Sequence, residues 1–99
     1  MEGRSERARR LAGKEEQLAR DQRAAAARSQ RQTDESAAEL SRAEQDPSAR
    51  PEEVAIDRHA VTLHRRTTAA HEKAARLHEE AAALQRRHEH HSQQQEGRD

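Results

Sequence analysis

Cysteine, phenylalanine, tyrosine and tryptophan are all missing from this chain of 99 residues. Without cysteine there is neither a disulfide framework nor a thiolate metal site, and nothing points to an oxidising compartment. Without aromatics there is no platform on which nucleobases stack. Large aliphatic side chains are scarce too: Leu11, Leu18, Leu40, Val54, Ile56, Val61, Leu63, Leu77 and Leu84 are all there are. So few cannot fill a globular core of ordinary density. The chain also lacks any run of the roughly 20 apolar residues that a membrane span requires, and its start has no apolar stretch of the signal-peptide kind, so a cytoplasmic location is the expectation.

Proline and glycine are rare, at two and three residues, and the net charge is zero, with 19 basic and 19 acidic side chains. Disordered chains tend to the opposite on both counts. What fills the chain is alanine, the best helix former, together with Arg, Glu, Gln and Leu, all close behind it. These facts predict an all-α chain of two long helices, a helical hairpin or coiled coil with frayed termini and no globular core.

The boundary between the helices is legible in "DPSARPEE", residues 46–53. Proline cannot continue a helix but is welcome in its first turn, where the missing N–H would be orphaned anyway. Asp46 or Ser48 is expected as the N-cap, and Glu52 and Glu53 complement the positive end of the helix dipole. The reading is a tail over 1–4, a charged helix over 5–45 with Ser5 as its cap, a break at 46–51, a second helix over 52–90 and a tail over 91–99. Gly13 weakens the first helix, and "TDESAAEL" is a soft point within it, because Ser36 and Glu39 have capping-box spacing.

A heptad runs through the second helix. Ile56, Leu63, Ala70, Leu77 and Leu84 occupy position d, and Ala60, Thr67, Ala74, Ala81 and His88 occupy position a. Such a line cannot bury itself, so it predicts an interaction seam made of Ile56, Ala60, Leu63, Ala70, Ala74, Leu77, Ala81 and Leu84. Its partner is the first helix or a second copy. The first helix matches it poorly, because Leu11 and Leu18 keep the register and then the pattern dissolves.

His64, His71 and His78 recur every seven residues along the edge of that seam. Seven residues rise about 10.5 Å along a helix, whereas nitrogens sharing a zinc ion lie about 2 Å from it, so neighbours in this stripe cannot share a metal within one helix. None has a carboxylate three or four residues away, so any partner must come from another helix or from water. Imidazole ordinarily titrates near pH 6.5, which makes a pH-responsive association the sharper alternative to a solvated flank. His88 and His91, three apart, with His90 beside them, are the better metal candidates, as a weak surface chelate for zinc, nickel or copper. No other cofactor is expected.

Catalysis requires a water-excluded pocket that positions reacting groups. The sequence has no Gly-rich phosphate loop, no cysteine nucleophile and no Ser–His–acid set that two thin helices would hold around a cavity, so a non-enzyme is expected. "RSERARR" with Arg20, Arg23, Arg28 and Arg31 offers weak, salt-sensitive contact to anions or nucleic acid. The interleaved Glu15, Glu16 and Asp21 argue against it. The expected role is a helical interaction or scaffolding module whose partner is itself or another helical protein. Metal or pH-responsive binding is the alternative, and anion binding comes third.

Overall fold

In a computed structural model, which describes residues 2–97, the chain is a helical hairpin: α1 spans Arg4–Gln45 and α2 spans Pro51–Glu96. The Gly3 carbonyl accepts the Arg7 amide at 3.0 Å, so Gly3 takes the capping position. Ser5, expected as that cap, lies inside the first turn, where its buried hydroxyl donates to the Glu96 carboxylate at 3.2 Å. Both soft points are spanned without a break. Thr33 is held in α1 by donating its hydroxyl to the Ser29 carbonyl at 3.0 Å, the back-bond that lets a threonine sit in a helix interior.

The connection between the helices is shorter than the sequence suggests, 46–50. Asp46 closes it: one carboxylate oxygen accepts the Ser48 hydroxyl at 2.7 Å and the Ser48 amide at 2.9 Å. These two bonds, the hydroxyl first, hold the Asp46 carboxyl below its ordinary 3.8. Asp46 and Ser48 thus cap the turn and not α2. The capping position of α2 belongs to Arg50, whose carbonyl accepts the amides of Glu53 and Val54. Pro51 is the first helical residue, as its fixed φ and absent N–H favour. At the far end α2 runs to Glu96 and buries Ser92, beyond the frayed tail expected from 91. Of the expected tails, Met1, Arg98 and Asp99 lie outside the described residues.

The chain divides into two compact units: a terminal unit of residues 1–22 with 73–99, and a turn unit of residues 23–72. Both are antiparallel helix pairs, and both are closed by small side chains. In the terminal unit the buried residues are Ser5, Ala8, Ala12 and Ala19 on α1 and Ala75, Ala82 and Ser92 on α2. In the turn unit they are Ala26, Ser29 and Thr33 on α1 and Val61 and Thr68 on α2. Ala12, Ala19, Ala26 and Thr33 follow one another at seven-residue steps, as do Val61, Thr68, Ala75 and Ala82. Within each unit, small residues at the inward positions, Val61 excepted, let the two helix backbones approach closely and gain dispersion contacts. The leucines of α2 are left outside.

This corrects the expected seam as the line that pairs the two helices. Ile56, Leu63, Leu77 and Leu84 remain 67%, 46%, 55% and 59% exposed, and Ala70 is exposed with them. Ala60, Ala74 and Ala81 are half-buried at the margin. The reason lies in α1. Its inward row is alanine, serine and threonine, which leaves no holes to receive leucine, so α2 turns its own small residues inward.

Candidate functional site

With α2 rotated this way, His64, His71 and His78 are half-buried along the edge of the inward row of α2. His78 finds the carboxylate that its own helix does not offer: its Nδ1 lies 2.6 Å from an oxygen of Glu15 on α1. Both side chains keep about three-tenths of their surface in water. With its proton on Nδ1 the imidazole donates to the Glu15 carboxylate across the helix pair, a bond assisted by the carboxylate's charge. Nothing in the sequence flags Glu15 as the partner, since the match depends on the register of α1 against α2. His64 contributes its backbone. The Thr68 hydroxyl donates to Ser29 Oγ at 2.8 Å, and the Ser29 hydroxyl donates on to the His64 carbonyl at 3.2 Å. Two buried hydroxyls are satisfied by this chain, which also sets register in an otherwise uniform row of small residues.

The terminal unit has two unlike sides. On one, Arg9 donates to Glu89 at 3.0 Å, and Arg86 donates to Glu89 at 3.3 Å and to Glu16 at 2.8 Å, so four charges form a chain across the helix pair. The Glu16 bond raises the Arg86 guanidinium above its ordinary value, with Glu89 adding to it. Arg9 and Glu16 are seven residues apart on α1, which defines this side of the helix.

The other side carries leucine. Leu11 and Leu18, also seven apart on α1, are half-buried, and Leu77 and Leu84 project from α2. Leu11 and Leu84 line one open groove together with Ala8 and Gln85, with Arg4, Arg7 and His88 at its rim. The groove is shallow and open to water. What it offers is apolar surface.

The metal candidates are less concentrated than the sequence suggests. His88 belongs to the groove rim, while His90 and His91 each pair along the helix, His90 Nε2 with the Gln94 amide at 3.1 Å and His91 Nε2 with the Gln95 amide at 3.2 Å. Among the described residues no group of three or more His, Cys, Asp or Glu side chains is placed to hold a metal ion. The arginines proposed to meet phosphate are exposed along α1, with Arg20 bonded to Gln17 at 2.7 Å. No described helix is long and apolar enough to cross a membrane. No family model matches this chain, and no curated protein or solved structure is significantly similar to it.

Proposed function

We propose that this chain is a non-catalytic helical interaction module that docks a helical partner on the leucine side of its terminal unit. The observation that carries this reading is the exposure of Leu77 and Leu84 beside half-buried Leu11 and Leu18, on a chain with so few large aliphatics. A hairpin that closes through alanine and serine has no internal use for four leucines along one side. Left in water they cost solubility, and covered they contribute about 1.5–3 kcal/mol each at full burial. The predicted seam therefore keeps Leu77, Leu84, Ala74 and Ala81 as contact residues, with Leu11 and Leu18 added from α1.

The test is site-specific photo-crosslinking in the native host. A benzophenone side chain at position 77 or 84 is expected to yield covalent adducts, and the same group at outward-facing position 76 is expected to yield none. Equal labelling from all three positions, or none from any, would overturn the reading.

A further inference from the structure

We propose that the partner on this surface is a second copy of the same chain, seated about a two-fold axis parallel to the helices so that α1 of one copy lies beside α2 of the other. The proposal rests on the interaction reading above and names its partner. A surface that pairs with itself must be self-complementary, each residue on one rim meeting its match on the other. The charges bordering the leucines have this property.

On α1 the outer border of the leucine side is formed at seven-residue steps by Arg7, Lys14 and Asp21, and on α2 by Arg87, Glu80 and Lys73. All six are exposed. Leu11 and Leu84 line the same groove and give the two helices a common level. At about 1.5 Å per residue, Lys14 stands three residues, about 4.5 Å, beyond Leu11, and Glu80 stands four residues, about 6 Å, before Leu84. Because the helices are antiparallel, both displacements run in the same direction. Asp21 and Lys73 are each one heptad further along. Two copies related by the proposed axis therefore bring Lys14 to Glu80 and Asp21 to Lys73 at nearly equal heights, and symmetry makes each pair twice. Arg7 and Arg87 form the one like-charged match, at the outermost level.

Within a single chain these rim charges are unused in a way that the opposite side's are not. Arg9, Glu16, Arg86 and Glu89 are tied across the helix pair, whereas Lys14, Lys73 and Glu80 make no ion pair among the described residues. Asp21 accepts only the Gln17 amide of its own helix, at 2.9 Å. The opposite two-fold arrangement, α1 beside α1, sets Lys14 against its own symmetry mate near the centre of the leucine surface, where the repulsion would be least screened.

The test is sedimentation equilibrium of the full chain with charge-swap variants, at low salt. Wild type is expected at twice the 11.3 kDa chain mass. Lys14→Glu and Glu80→Lys are each expected to weaken the dimer about tenfold, since each turns two rim attractions into repulsions, and the double variant is expected to recover most of the loss. Unchanged helical circular dichroism in every variant confirms that the hairpin is intact. A wild-type chain that stays monomeric at about 100 μM, a concentration that populates any dimer tighter than that, overturns self-pairing. In that case the interaction reading still stands if positions 77 and 84 crosslink to a different protein, and falls with it if they crosslink to nothing. A dimer that Lys14→Glu strengthens overturns the proposed axis.

Discussion

Gly13 has open space where a Cβ would stand: no atom outside its own helix segment lies within 4 Å. Neither a turn nor a positive φ requires glycine there, since no described residue adopts positive φ. Gly13→Ala is therefore expected to stabilise the hairpin by about 0.5–1 kcal/mol through helix propensity alone, raising the thermal midpoint by a few degrees. Differential scanning calorimetry checks this, and an unchanged or lower midpoint would mean that the glycine relieves a contact. The residue scale is also where sequence reading reaches least far. That His78 needed a partner from elsewhere was legible in its neighbours. That the partner is Glu15 was not, because a hydrogen bond between residues 63 apart in sequence depends on how two helices slide past each other.

At the scale of the helices, the inward rows decide everything about how α1 and α2 pair. Ala12 and Ala75 are fully buried, and their small volume is what allows close approach. Ala12→Leu is expected to destabilise the hairpin by about 1–3 kcal/mol, the usual cost of overpacking, although leucine is nearly as good a helix former and far more apolar than alanine. Urea unfolding followed by circular dichroism measures it. A gain in stability would show that the helices part easily and that leucine was welcome inside. The heptad period was readable from the chain, but the line of the heptad that faces α1 was not. Large apolar residues mark a seam in most amphipathic helices, and here Ile56 and the leucines of α2 mark the outer surface. The competing signal, alanine, serine and threonine every seven residues in both helices, is faint because alanine is abundant at every position.

For the molecule as a whole, stability and association are carried by different residues. Leu77→Ser with Leu84→Ser removes two side chains that the hairpin leaves more than half exposed. The double variant is expected to keep its helical content and to lose no more than about 1 kcal/mol of stability, as surface substitutions usually do, while losing association entirely. Circular dichroism and sedimentation of the same samples separate the two effects. Collapse of helicity would instead show that these leucines hold the hairpin together.

Composition and pattern alone determined the class of structure: with no aromatics, few large aliphatics and two prolines close together, this chain has only paired helices open to it, and the break between them falls where the prolines stand. Helix formation is a local matter of propensity, capping and i→i−4 hydrogen bonding, so it is written along the chain. Which side of each helix turns inward was decided by tertiary structure. Leucine on α2 is attractive to bury only where the facing helix has space for it, and α1 offers a row of alanine and serine that rewards close approach instead. The leucines were visible from the start, but their place on the outside follows from the helix they do not fit.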